Sequence, residues 1–287
     1  MSNTDQARLL IKCADQPGLV AAVSALLAKH GANIVESDQY STDPEGGMFF
    51  LRTVFHLKNL ASRLPGLQGE FEAEVARKFD MDWTLSIAAE PKRIAIMVSR
   101  QGHCLLDLLW RVDRGELPAE IGVVVSNHTD FAENVEGFGL EFRHIPVTKD
   151  TKEQAEREQL DLLAGEYDLI VMARYMQILT ANFLDNVECP VINIHHSFLP
   201  AFAGASPYKR AKDRGVKLIG ATAHYATEDL DEGPIIEQDV VRVTHRESAE
   251  ELARRGADVE RMVLSRAIAW HCEDRVLRHK NTTVVFR

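Results

Sequence analysis

At 287 residues and 45% hydrophobic, the chain can bury one large core or two smaller ones. Charged residues at 26% exclude a disordered or fibrous chain, and a formal net charge of −10 argues against non-specific nucleic-acid binding. The start MSNTDQARLL has no signal-peptide pattern, and no run approaches the ~20 apolar residues of a membrane helix. Cys13, Cys104, Cys189 and Cys272 form no C-x-x-C pair, so reduced thiols in a cytoplasmic protein are expected.

The first elements are short and alternate. Arg8 to Cys13 reads as a strand, and the turn Asp15–Gly18 follows, with Pro17 placed for the first turn of a helix. Leu19, Val23, Leu26 and Leu27 then recur at helical spacing up to Gly31. ANIVESDQYST, the turn DPEGG and MFFLRTVFHL have the grammar of a hairpin. Phe71, Val75 and Phe79 give a second helix its apolar stripe, and DWTLSI closes the module as a strand. This β-α-β-β-α-β order is ferredoxin-like. A seam at AAEPKR, Ala88 to Arg93, separates residues 1–90 from 91–287.

Past the seam the units lengthen. RIAIMVS is apolar throughout, as a strand buried on both faces must be. A helix from about Gly102 to Val112, IGVVVS, EFRHIPV, a polar helix near Thr151–Ala164 and DLIVMA follow. The alternation predicts an α/β fold with a doubly wound, mostly parallel, Rossmann-like sheet, whose ligands bind beyond the carboxyl ends of the strands. PVINIHH ends there. In the tail, Ser248 and Glu251 form a capping box before one helix, a second helix is expected over about Asp258–Arg278, and TTVVF reads as a last strand.

Three readings of NIHH compete: a metal site, a proton-handling site, or capping of a core strand. Alternation on an extended chain puts His195 and His196 on opposite faces, so they do not share an ion. His195, His224 and Asp231 could supply three metal ligands, but no i, i+4 histidine pair supports it. Asn193 and His195 share a face and offer an amide donor and an imidazole for a carbonyl under attack. A base is then needed, and Asp231 lies in the acidic turn of HYATEDLDEGPII, which Gly233 and Pro234 close. A turn that charged is also explained by solvation alone.

INIHHSFLPAFAGASPY together with GVKLIGATAHYATEDLDEGPII resembles the formyl-transferase superfamily that uses 10-formyltetrahydrofolate. The resemblance covers nearly the whole chain and implies a formyltransferase-like domain over 91–287. It places the catalytic Asn, His and Asp on Asn193, His195 and Asp231, and an orienting histidine on His224. DLIVMARYMQIL resembles the segment that grips the pterin ring, with Met176, Gln177 and Leu179 at the contact positions. The loop from Thr227 to Asp231 would cover the other side, and Gly204 in AGASPY would line the mouth. Amine-formylating members carry a Gly-Asn-Gly-Ser-Asn-like phosphate loop after the first strand. The corresponding stretch here is SRQGHCLLDLL, where His103 and Cys104 replace the Ser-Asn pair. The resemblance is therefore strongest to the hydrolytic branch. It implies hydrolysis of 10-formyltetrahydrofolate to formate and tetrahydrofolate, balancing one-carbon folate and supplying formate for purine synthesis. Folate is then substrate rather than cofactor, and no metal is implied. The alternatives are a glycinamide ribonucleotide-type formyltransferase and an amino-acid sensor with a non-catalytic folate-binding domain.

DQPGLVAAVSALLAKHGANI with GGMFFLRTVF resembles the ACT domain, a regulatory and oligomerising module. This implies either an effector site for glycine or methionine near Asp15, Gly18 and Asn33, or a dimerisation module without a ligand. Both readings imply a homo-oligomer formed through sheet edges.

Overall fold

The computed structural model describes residues 3–201 and 207–287. Gly204 lies outside the described residues. Two compact units emerge: residues 1–91 with Glu273–His279 and Val284–Arg287, and Lys92–Cys272 with Lys280–Thr283.

In the first unit, β1 (Gln6–Ala14), β2 (Asn33–Ser41), β3 (Met48–His56) and β4 (Asp82–Ile87) form an antiparallel sheet in the order β2-β3-β1-β4. Its core is apolar: Leu9, Ile11, Leu51 and Phe55 pack against Leu19, Val23 and Leu27 of helix Leu19–Lys29 and Phe71 of helix Leu60–Phe71. Val75 and Phe79 continue the expected stripe through a π turn and a short helical end. Pro17 does not enter the helix. Gly18, at φ 95°, is the N-cap, and only glycine adopts that conformation without strain, so the helix starts one residue later at Leu19.

The tail departs from the expected division. Asp274 accepts from Ser86 Oγ at 2.7 Å and pairs with Arg8, while Arg52 donates to the carbonyls of Glu273 and Asp274. Arg52 is buried, and these carbonyls together with Glu36 Oε1, 2.8 Å away, satisfy its guanidinium. Residues 273–279 accordingly cluster with the first unit rather than with 92–272.

The second unit is built on seven strands. These are β5 (Lys92–Val98), β6 (Ala119–Ser126), β7 (Phe142–His144), β8 (Leu169–Met172), β9 (Val191–His195), β10 (Leu218–Tyr225) and β11 (Ile235–Arg242), in the order β11-β10-β9-β8-β5-β6-β7. The strands from β9 to β7 run parallel, and β10 and β11 are antiparallel additions. β8 and residues 94–98 of β5 are buried throughout, which explains their unbroken apolar sequence. The chain leaves β5 toward β6 and β7 and returns to β8 on the other flank. The crevice between the carboxyl ends of β5 and β8 is thus the sheet's switch point.

One helix, Ala249–Cys272, replaces the two expected in the tail. The capping box forms as expected, with Ser248 N–H donating to Glu251 at 2.7 Å and Glu251 N–H to Ser248 Oγ at 3.2 Å. Gly256 is buried inside this helix with the Tyr208 ring against it: a Cβ there would sit 2.0 Å from the Tyr208 hydroxyl. Among the described residues no helix is long and apolar enough to cross a membrane.

Candidate active site

Register creates the site. β9 pairs with β10 so that Asn193 faces His224 and His195 faces Thr222. Asn193, His195 and His224 therefore project from one face of adjacent strands. Buried Ile192 and Ile194 anchor the opposite face of β9.

His224 fixes Asn193. Its Nδ1 lies 3.0 Å from the Tyr225 carbonyl, which can only accept, so Nδ1 carries the hydrogen and Nε2 is left as an acceptor. Asn193 Nδ2 is 3.2 Å from that Nε2, so the amide presents its NH2 there and keeps a second N–H for the cleft. Burial pushes the His224 imidazole below its ordinary value, which keeps this neutral tautomer in place.

Asp231 arrives from the β10–β11 hairpin in the left-handed conformation, φ 60°, which aspartate tolerates better than most residues. Its Oδ1 lies 3.1 Å from His195 Nδ1 and 3.9 Å from His224 Nε2. Burial pushes its carboxyl up, but the His195 bond and the nearby histidines outweigh this, so it sits below the usual range and is ionised at neutral pH. His195 Nε2 is buried and has no partner among the described residues. Asn193, His195 and Asp231 are thereby brought together, thirty-eight residues apart at the extremes.

The turn that carries Asp231 is tightly closed. Tyr225 N–H donates to the Pro234 carbonyl at 3.0 Å, and Asn281 to that of Glu232 at 2.9 Å. A Cβ at Gly233 would lie 1.8 Å from the Tyr225 carbonyl oxygen, a backbone atom that cannot rotate away. Gly233→Ala is expected to lower stability by about 1–3 kcal/mol, as overpacking does. Chemical denaturation checks this, and an unchanged midpoint and slope would contradict it.

A cleft of about 240 Å³ extends from these groups. Met176, Gln177, Leu179, His224 and Thr227 all line it, together with Ile178 and Leu230. Met176, Ile178 and Leu230 are each more than half exposed, and such apolar side chains around a polar centre suit a flat heterocycle. The Met176 loop is held from behind. Its N–H donates to Ser99 Oγ at 3.0 Å, and Glu156 accepts from Thr180 N–H and Oγ at 3.1 and 2.7 Å.

His196 is placed differently from the expectation. β9 ends at His195, so alternation no longer governs the next residue. Its ring lies 5.1 Å from that of His195 and 6.0 Å from Tyr208, and it lines the same cleft. Burial and then the Arg174 charge push its imidazole down to about 3 from an ordinary 6.5. The folded state thus binds fewer protons than the unfolded chain below pH 6.5, so stability falls as pH drops from there toward 3. Melting temperatures between about pH 6.5 and 4 should fall more steeply for the native chain than for His196→Gln. Equal slopes would contradict this.

Arg174 and Glu260 escaped the sequence reading. Arg174 follows buried β8 at φ 65°, and a charge directly after an apolar strand was the available signal. In the first unit, a separate hollow is lined by Asp15, Gly18, Leu19, Gln39, Tyr40 and Ser41. Asn33 does not join it. It begins β2, whose other end carries Ser41, and a nine-residue strand separates the two by roughly 26 Å.

The second unit has the fold of a formyl transferase: residues 92–268 match that family, and residues 7–64 match the ACT domain. A formyltetrahydrofolate deformylase of Mycobacterium bovis is 60% identical over 98% of this chain and 91% of its own length. The crystal structure of a formyltetrahydrofolate deformylase from Pseudomonas syringae pv. tomato superposes with a TM-score of 0.94 at 48% identity, covering 98% of this chain and 94% of that one. A glycinamide ribonucleotide transformylase from Symbiobacterium toebii is more distant, at TM-score 0.65 and 28% identity, over 69% of this chain and 95% of that one. The chain belongs to the formyltetrahydrofolate deformylase family.

Proposed function

We propose that the chain hydrolyses 10-formyltetrahydrofolate to formate and tetrahydrofolate, with Asn193, His195 and Asp231 as the catalytic residues. The observation that carries the reading is the convergence of an ionised carboxylate, an imidazole and an oriented amide at one end of an apolar cleft. The pterin lies against the loop carrying Met176, Gln177 and Leu179, with Thr227 opposite. Asp231 orients a water against the formyl carbon and takes its proton as the C–O bond forms. When His195 carries both ring protons, Nδ1–H bonds Asp231 and Nε2–H points to the developing oxyanion, where the free N–H of Asn193 also donates. Collapse of the tetrahedral intermediate breaks the C–N bond, and the proton taken from water passes to the departing folate nitrogen. Folate is substrate, and the scheme uses no cofactor and no metal. Formate release from 10-formyltetrahydrofolate in buffer, with and without glycinamide ribonucleotide, tests the reading. Release without the amine supports it; turnover only with the amine would make the chain a transformylase. Tight folate binding without turnover would make it a sensor.

The first unit is read as a regulatory, oligomerising module. Asp15 and Gly18 border a hollow of a size for a small amino acid, glycine or methionine, and β2 is an exposed edge bearing Ile34, Val35 and Tyr40. Pairing of that edge with a second copy would bury them. Among the described residues Cys13, Cys104, Cys189 and Cys272 form no disulfide, which suits the reducing cytoplasm.

A further inference from the structure

The helix Lys152–Leu163 has a polar sequence, yet two of its polar residues are buried, Glu156 at 7% exposure and Gln159 at 1%. Three positions apart, they lie on one face of the helix. Among the described residues the Glu156 carboxylate meets Thr180 and no cation, and Gln159 Oε1 has no partner. Burying such groups costs stability, and apolar side chains would fill the same space without that cost. Stability alone does not account for them.

Both residues hold the segment from Arg174 to Thr180. Glu156 accepts from Thr180 N–H and Oγ at one end, and Gln159 Nε2 donates to the buried Tyr175 hydroxyl at 2.9 Å near the other. Ser99, one residue past β5, completes the frame. Its N–H donates to the Arg174 carbonyl at 3.3 Å, and its Oγ accepts from Met176 N–H at 3.0 Å. The same Oγ donates to Asn127 Oδ1 at 2.7 Å, so its hydrogen is committed there and a lone pair is left for Met176. Between these clamps, the main-chain N–H groups of Gln177, Ile178 and Leu179 form no hydrogen bond among the described residues. All three residues line the cleft. An unpaired main chain does not fix its own shape, so the clamps at its two ends must.

We propose that Glu156, Gln159 and Ser99 are positioning residues for folate: from behind the loop they hold its open main chain in the shape that meets the pterin edge, and they set affinity without entering the chemistry. The inference rests on the reading of this loop as the pterin wall and adds the residues that keep the wall in shape. A loop released from its clamps binds in proportion to the fraction of molecules that still hold that shape. The Asp231 centre is untouched by the release, so folate that does bind is turned over as before.

Steady-state formate release from 10-formyltetrahydrofolate and a separate titration with tetrahydrofolate test it. Glu156→Ala should raise KM and weaken tetrahydrofolate binding by about tenfold or more, with kcat changing by less than about threefold. Glu156→Gln keeps an acceptor for Thr180 N–H and should recover most of the loss. Ser99→Ala and Gln159→Leu should move KM in the same direction, and they carry the test if Glu156→Ala does not fold. Leu163→Ala is the control: it empties core space on the same helix, lowers the melting temperature and should leave KM native. Native KM and affinity in the folded variants would overturn the proposal. So would a fall in kcat at unchanged KM, which would place these residues in the chemistry, or an equal loss of affinity in Leu163→Ala, which would assign the effect to helix packing. The titration needs no turnover. A native chain that binds tetrahydrofolate but releases no formate would fail the hydrolase reading and leave this one decided by binding alone.

Discussion

Asp231→Asn is expected to lower formate release by about three to four orders of magnitude while leaving folate affinity nearly unchanged. The substitution keeps the shape and the reach to His195, 3.1 Å away, but removes both functions of the carboxylate. An amide does not accept the proton from water, and it no longer offers His195 Nδ1–H a charged acceptor. The pterin wall, built from Met176, Gln177 and Leu179, is untouched, so binding persists. Single-turnover formate release and a separate folate titration check the two halves. Near-native hydrolysis would remove Asp231 from the mechanism, whereas lost binding would make it a structural loop residue.

The second large effect falls on Asn193. Asn193→Ala is expected to reduce kcat by roughly 10²–10³, the range for loss of one oriented oxyanion donor, with KM changing little. His224 is the control for orientation. It holds Asn193 through Nε2 and does not itself face the oxyanion in this scheme, so His224→Ala should lower kcat less than Asn193→Ala does. In Asn193→Ala/His224→Ala the two losses should fail to add, because His224 acts through Asn193. Additive losses would give His224 an independent part. Steady-state kinetics of the three variants measure this.

Asn193 and His195 were legible because a strand's period of two assigns both to one face without knowledge of any partner. The same rule failed at His196, one residue past the strand's end, because alternation holds only while the chain remains extended. Asp231 had a visible chemistry but no visible destination. A charged turn looks the same whether solvent or a histidine receives it, and the resemblance supplied the destination. Glu260 and Arg174 were out of reach of pattern reading. They are eighty-six residues apart and meet only because β8 and the long C-terminal helix flank one crevice. The single C-terminal helix in place of two has a related cause: Gly256 within it accommodates the Tyr208 ring, a contact that only the tertiary fold creates. Asn33 shows the reverse, a residue close in sequence to the effector turn but carried away along β2.

The central claim is that water is the acceptor of the formyl group at the Asn193, His195 and Asp231 centre. Turnover of 10-formyltetrahydrofolate in ¹⁸O-labelled water, with the formate analysed by mass spectrometry, tests it most directly. The account predicts one labelled oxygen per formate released, formed at the native rate without any amine, and the loss of this labelled product in Asp231→Asn. Formate without label, or label that appears at the same rate in Asp231→Asn, would contradict it.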